Sequence, residues 1–464
     1  MNHSRTPPST AWIITATSLG FMVVQLDVTI VNVALPRLIT ALGSRMSELQ
    51  WVVDAYTLAF AVLLLSAGVL GDRLGARRAY LLGFSLFALA SAACGLAQTA
   101  GQLIAARAIQ GIGAALLVPP SLALLNHACA HEPRLRARAI GLWTAGGGIS
   151  IAAGPIIGGL LLHAFDWRSI FLVNLPLCAL GIGMTLRLHE TPRKARQRLD
   201  LYGQALAILA LTGLTGAMIE IGALGPTHPL VIGGFVLAAI GAWAFVAVEA
   251  RTEQPMLPLR FFRRPHFSAA VLFGIAVNLS YYGVLFVLSL YLQHVRHYSA
   301  MQAGLAYLPL TATFIVSNLI SGWLSGHYGG RLPMMLGAAI GAAGFALLAR
   351  LDADSGYLAM LLPFLLIPGG MGLGVPAMTT IMLSSVEKSW SGTASAVLNA
   401  ARQAGGAIGV AAFGALVGGG DARIVPGMRL AAWISVGLLL LACAIAARYV
   451  RHGDGHANPA ETAD

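Results

Sequence analysis

Gly68-Val69-Leu70-Gly71-Asp72-Arg73-Leu74-Gly75-Ala76-Arg77 returns 254 residues later as Gly322-Trp323-Leu324-Ser325-Gly326-His327-Tyr328-Gly329-Gly330-Arg331. Glycine, leucine, glycine and arginine recur in register, and each copy follows a long apolar run. Val118-Pro119 and Val375-Pro376 repeat at nearly the same interval, 257 residues. Two similar halves joined in one apolar chain predict internal structural duplication.

Working outward from the two copies, the chain divides into runs of about 20 apolar residues, the length that crosses a bilayer as a helix. Fourteen such runs are read, at about 11–35, 50–70, 79–98, 102–126, 139–162, 168–187, 201–222, 229–249, 268–293, 303–325, 332–350, 357–383, 392–418 and 428–448. Runs 1–6 correspond to runs 9–14, with runs 7 and 8 inserted between them. Membrane barrel strands are only about 10 residues long. The expected fold is therefore all-α and integral to the membrane: two six-helix bundles plus two inserted helices, 14 transmembrane helices in all. The expected boundaries are residues 1–187 for the first bundle, 188–267 for the linker with its inserted pair, 268–450 for the second bundle and 451–464 for a tail.

Composition agrees. Hydrophobic residues make up 57% of the 464 and charged residues 10%, against about 25% charged in a soluble domain. The net charge of +11 invites a nucleic-acid reading, but the basic residues are sorted by side. Twenty of the 29 Lys and Arg fall in connectors on the side of the termini, among them Arg5, Arg73, Arg77, Arg78, Arg193, Lys194, Arg196, Arg198, Lys388 and Arg451, and seven fall on the other side. By the positive-inside rule both termini are cytoplasmic. Arg107 and Arg402 remain, inside helices. No nucleic-acid partner is expected.

Charged groups inside spans are costly and are functional candidates by default. The first run holds Leu26-Asp27-Val28-Thr29-Ile30-Val31-Asn32-Val33-Ala34-Leu35-Pro36. Desolvation favours a neutral carboxyl, so an acid at this depth is a candidate proton carrier; a structural hydrogen-bonding role between helices is the competing reading. Gln25 and Asn32 share a helix face. Asp54 sits one turn into the second run, and Arg107, in Arg107-Ala108-Ile109-Gln110-Gly111-Ile112-Gly113, at a similar depth in the fourth. Asp27, Asp54 and Arg107 are expected to share one layer. In the thirteenth run Asn399, Arg402 and Gln403 fall on one helix face. A substrate cavity lined by Gln25, Asn32, Gln110, Asn399, Arg402 and Gln403, otherwise apolar and aromatic, is expected.

These motifs together resemble the major facilitator superfamily, in its fourteen-helix drug:proton antiporter branch, over nearly the whole chain. The loop from Gly68 to Arg78 resembles the superfamily's cytoplasmic loop motif. The resemblance implies that Gly68, Asp72, Arg73, Gly75 and Arg77 form a cytoplasmic gate, although Ala76 stands where the family has a basic residue and the second copy has Gly326 in place of the acid. The Arg107 segment resembles the family's proton-linked arginine motif. Gly154-Pro155-Ile156-Ile157-Gly158-Gly159, after Gly146-Gly147-Gly148 and Ser150, resembles the motif that marks antiporters; Gly154, Pro155, Gly158 and Gly159 then imply a hinge and a proton seal. Asp166-Trp167-Arg168 through Asn174-Leu175-Pro176 fits the branch as a structural helix start.

The implied activity is proton-coupled export of hydrophobic drugs or antibiotics, neutral or singly cationic, by alternating access, with the protein a monomer in the cytoplasmic membrane. A metabolite symporter on the same fold and a non-transporting sensor or enzyme are the alternatives. No phosphate-binding loop or nucleophile elbow is present. His127 and His131 lie in a basic connector, and Cys94, Cys129, Cys178 and Cys443 match no metal spacing. No cofactor, metal or catalytic residue is expected.

Overall fold

The computed structural model describes residues 9–450 except 130–131, 193–199, 253–254, 388–389 and 419. The expected tail at 451–464 and the basic residues Arg5, Arg193, Lys194, Arg196, Arg198, Lys388 and Arg451, with His131, lie outside the described residues.

Among the described residues thirteen helices are long and apolar enough to cross a membrane, and a shorter apolar one, Ser169–Thr185, stands where the sixth is expected. In order they are α1 (Thr10–Leu42), α2 (Met46–Leu74), α3 (Ala76–Leu96), α4 (Ala100–Ala128), α5 (Pro133–Ala164), α6 (Ser169–Thr185), α7 (Leu201–Leu224), α8 (Pro229–Glu249), α9 (Pro265–Val295), α10 (Ala300–Tyr328), α11 (Arg331–Leu348), α12 (Tyr357–Ser384), α13 (Ser391–Val417) and α14 (Ile424–Tyr449). Helix starts carry local signals. Ser9 accepts from the Trp12 amide, Thr99 from that of Gln102 and Ser299 from that of Gln302, each satisfying an amide the helix leaves free.

One boundary differs from expectation. Pro36 does not end the first helix, which runs to Leu42 and closes on Gly43 in the left-handed region (φ 61°). Proline has no amide to give the carbonyl four residues back. The orphaned carbonyl, that of Asn32, instead accepts from the hydroxyl of Ser289 in α9. A tertiary partner thus replaces the lost helical bond, and the helix continues.

α1–α6 and α9–α14 form the two bundles, and apolar side chains such as Leu89, Leu358 and Trp243 point outward, as a lipid solvent requires. The end of the molecule where α1 begins is called here the near end, and the opposite one the far end. The hydrogen bonds that join the two halves among the described residues all lie toward the far end. Ser289 bonds Asn32, and Gln293 Nε2 donates to the Val33 carbonyl at 3.1 Å. Gln50 Nε2 of α2 donates to the Ala411 carbonyl of α13 at 3.2 Å.

The inserted pair is knitted by glycines: a Cβ added at Gly213 would sit 3.0 Å from the Gly234 carbonyl oxygen. α7 also touches both halves. Gly216 faces the Trp51 ring of α2, Gly222 faces Ala415 of α13, and Gln204 Nε2 donates to the Val62 carbonyl at 3.0 Å.

Candidate functional site

Inside the first bundle, α1, α3, α4 and α6 converge on one carboxylate. Asp27 is fully buried and ion-paired with Arg107, itself 1% exposed. Its other oxygen accepts from Gln110 Nε2 at 2.8 Å and Asn174 Nδ2 at 2.9 Å. Gln110 and Asn174 also both donate to Ser91 Oγ, at 2.7 and 3.2 Å. Arg107 gives its Nε proton to the Val52 carbonyl at 3.0 Å and an Nη1 proton to Gln110 Oε1 at 2.7 Å, and its guanidinium stacks 4.1 Å from the centre of the Tyr56 ring. A buried pair survives only when its remaining donors and acceptors are satisfied, and here neighbouring helices satisfy them.

The expected three-member layer has two members. Asp54 is fully buried at the depth of the Val52 carbonyl, but among the described residues its side chain accepts only from Thr57 Oγ1, at 3.4 Å, and its Oδ2 meets no partner. Gln110, assigned to the substrate cavity, belongs to the Asp27 cluster instead, because its helix face turns inward with Arg107. Ser91 and Asn174 are members that the sequence did not single out. Asn174 was visible there only as part of a helix start.

Between the halves lies a narrow cleft lined by Thr29, Gly148, Ile151, Pro155, Tyr281, Leu285, Tyr307, Leu310 and Phe314. Its walls are mostly apolar and aromatic, with Thr29, Tyr281 and Tyr307 as the hydroxyl-bearing residues. None of the six expected polar lining residues is among them. Asn32 turns its amide back to the Val28 carbonyl at 3.1 Å, and Gln25 is buried. Asn399, Arg402 and Gln403 are partly exposed on α13, and Arg402 Nη1 reaches Asn399 Oδ1 at 3.5 Å.

The glycine motif of α5 stands between α1 and the other half. A Cβ added at Gly154 would sit 3.1 Å from the Ile30 nitrogen, one at Gly158 3.1 Å from the Ile30 carbonyl oxygen, and one at Gly159 2.9 Å from the Ala300 carbonyl oxygen of α10. Gly304 of α10 packs on the Pro155 carbonyl in the same way. The motif therefore permits backbone-to-backbone approach within a half and across the halves.

At the near end, Gly68 sits against Pro119 of α4, and Asp72 and Arg73 occupy the last turn of α2. Gly75 has φ 95°, in the left-handed region that glycine enters freely, and so redirects the chain into α3. The first amides of α3 are held from the start of the linker, that of Ala76 by the Thr191 hydroxyl at 2.9 Å. Glu190 accepts from the Arg77 amide at 2.8 Å and the Arg78 amide at 3.3 Å, and pairs with the Arg78 side chain at 3.8 Å. Arg77 Nη2 donates to the Leu186 carbonyl at 2.8 Å. The loop motif is thereby tied to the start of the linker.

Two like halves, a buried acid–base cluster in one and an apolar cleft between them define a multi-pass membrane transporter. The Major Facilitator Superfamily profile matches residues 17–410. A methylenomycin A resistance protein of Streptomyces coelicolor is 39% identical over 87% of this chain and 85% of its own length. The cephamycin export protein CmcT of Amycolatopsis lactamdurans is 39% identical over 90% and 87%, and the multidrug resistance protein Stp of Mycobacterium tuberculosis 38% over 91% and 76%. The human organic anion transporter MFSD10 shares the fold, with a TM-score of 0.64 at 15% identity over 95% of this chain and all of that one. The chain belongs to the Major Facilitator Superfamily.

Proposed function

We propose that this protein exports hydrophobic drugs or antibiotics in exchange for protons. The relatives named for antibiotic resistance and export support the cargo class. The observation that carries the proton half is the Asp27–Arg107 pair, buried in one half and closed by Gln110 and Asn174. Protonating Asp27 removes the charge that holds Arg107. The freed guanidinium then leans on the Val52 carbonyl and the Tyr56 ring, both on α2, the helix that meets α13 of the other half. A proton on one carboxyl is in this way transmitted to a helix at the interface between the halves.

The excess of arginine in the near-end connectors supports cytoplasmic termini in a cytoplasmic membrane. With that orientation the hydrogen bonds between the halves lie on the outer side, and rocking about the α5 glycines is the motion that would open and close them. The halves are assigned to residues 1–187 and 268–450, with the linker between them and a cytoplasmic tail from 451, and the working unit is a monomer. The membrane potential contributes about 2.3 kcal/mol per net charge moved per 100 mV.

The test is proton movement in everted vesicles that hold an imposed gradient. Substrate added to vesicles with wild-type protein should release protons, and vesicles with Asp27→Asn should not. Proton entry driven by substrate marks symport, and an absence of proton movement with intact export removes proton coupling.

A further inference from the structure

Arg402 sits near the middle of α13, about 16 Å from its near end at ~1.5 Å per residue. Its stem crosses Gly274 of α9, where an added Cβ would lie 3.0 Å from Arg402 Cγ and 3.2 Å from the sulfur of Met378. Its head group is an electrostatic neighbour of Tyr282. Its side-chain hydrogen bond is the long one to Asn399, and its Nε is buried with no partner. Among the described residues no carboxylate pairs with it. Arg107, the other arginine at membrane depth, is by contrast fully compensated by Asp27.

A guanidinium stays charged at any accessible pH, and leaving it unpaired in a low-dielectric interior is costly. Asp54 does not supply the missing charge in this arrangement. Gln50 meets Val410 and Ala411, and α2 and α13 run antiparallel. Asp54 therefore faces the next turn of α13, and Arg402 lies about 7 Å further along at ~1.5 Å per residue. Asn399 and Gln403 flank Arg402 on the same partly exposed face; Asn399 gives an amide proton back to the Ser395 carbonyl at 3.0 Å and turns its Oδ1 toward Arg402, which leaves the guanidinium as the group with donors to spare. A forked cation of this kind matches a planar oxyanion, which it binds with two parallel hydrogen bonds.

We propose that Arg402, with Asn399 and Gln403, is the binding site for a carboxylate on the exported molecule, so that the cargo class is an amphiphile with one anionic head and an apolar body. The apolar body lies toward Tyr281, a residue of the aromatic cleft, next to Tyr282. This inference rests on the exporter reading above but specifies its cargo: the anionic end is read by the second half, while the proton is held by the first.

The test uses the purified full chain and a pair of probes, a fluorescent dialkylaminocoumarin bearing one free carboxylate and its neutral methyl ester. Fluorescence anisotropy gives the affinity ratio of acid to ester. Wild-type protein should favour the acid at least tenfold, Arg402→Gln should bring the ratio to about one, and Arg402→Lys should keep part of the preference. A wild-type preference for the ester, or a ratio unchanged in Arg402→Gln, overturns the proposal. So does equal loss of both dyes in Arg402→Gln with recovery in Asp54→Asn/Arg402→Gln, which assigns Asp54 as the partner. Binding to purified protein needs no gradient, so acid preference without proton release in vesicles would sink the antiport reading and leave this site standing.

Discussion

Ser289 donates its hydroxyl to the carbonyl oxygen of Asn32, the carbonyl that Pro36 leaves without an amide. With Gln293 on Val33, it ties α9 to the outer part of α1. Each such bond contributes about 0.5–1.5 kcal/mol net. Ser289→Ala/Gln293→Ala should therefore shift the balance toward the far-end-open arrangement by roughly 5- to 150-fold. Thiol labelling of a cysteine placed at Thr29, from the far side in intact cells, reads the shift; unchanged labelling would show that these bonds do not bias the two arrangements.

Asp27→Asn removes the charge opposite Arg107 and leaves a buried cation among polar groups. Breaking a buried pair on one side costs about 3–5 kcal/mol, so both Asp27→Asn and Arg107→Gln should lower the melting temperature in detergent and abolish proton-coupled export. The double variant should melt higher than either single one while remaining uncoupled. Additive losses of melting temperature in the double variant would argue that the two residues act independently.

Gly159→Val should block export while the protein still inserts. Any Cβ there falls 2.9 Å from the Ala300 carbonyl oxygen, and valine adds two methyls, so the far end cannot close. Gly148→Ala, with its nearest neighbour the Phe314 ring at 3.6 Å, should be tolerated. Resistance assays at matched membrane expression separate the two, and wild-type resistance with Gly159→Val would contradict the interface.

Glu190→Gln keeps the shape of the cap at the start of α3 but removes its charge. A carboxylate at a helix N-terminus contributes about 0.3–1 kcal/mol, up to ~2 kcal/mol when partly buried. The expected result is a small drop in melting temperature, larger at low salt, and greater protease cleavage in the linker. Equal cleavage in variant and wild type would mean that the linker is anchored by other contacts.

The fold was readable because its signals are long and redundant: 20-residue apolar runs, a repeated loop and sorted arginines each point to the same topology. The site was readable only in part. Asp27 and Arg107 stand out because charge is rare in such runs, and residue type alone marks them. Their partners do not stand out. Ser91 and Asn174 are ordinary polar residues 64 and 147 positions from Asp27, and no periodicity within one helix reports which neighbour lies across it. Asp54 differs for a related reason: depth follows from counting residues, but azimuth follows from packing, and Asp54 accepts from Thr57 of its own helix rather than from Arg107. The first helix outruns its apolar run, 11–35, because a helix end depends on whether another element takes up the carbonyl that a proline leaves free, as Ser289 does here. Glu190 sits in a connector, where charge is common and carries no signal.

α7 has a glycine toward each half, Gly216 under the Trp51 ring and Gly222 against Ala415. The two contacts are not equivalent, because Gln204 of the same helix also holds the Val62 carbonyl of α2, whereas Gly222 offers α13 only smooth backbone. An inserted helix fastened in this way moves with the first half, and any slip between the halves falls on its glycine contact with the second.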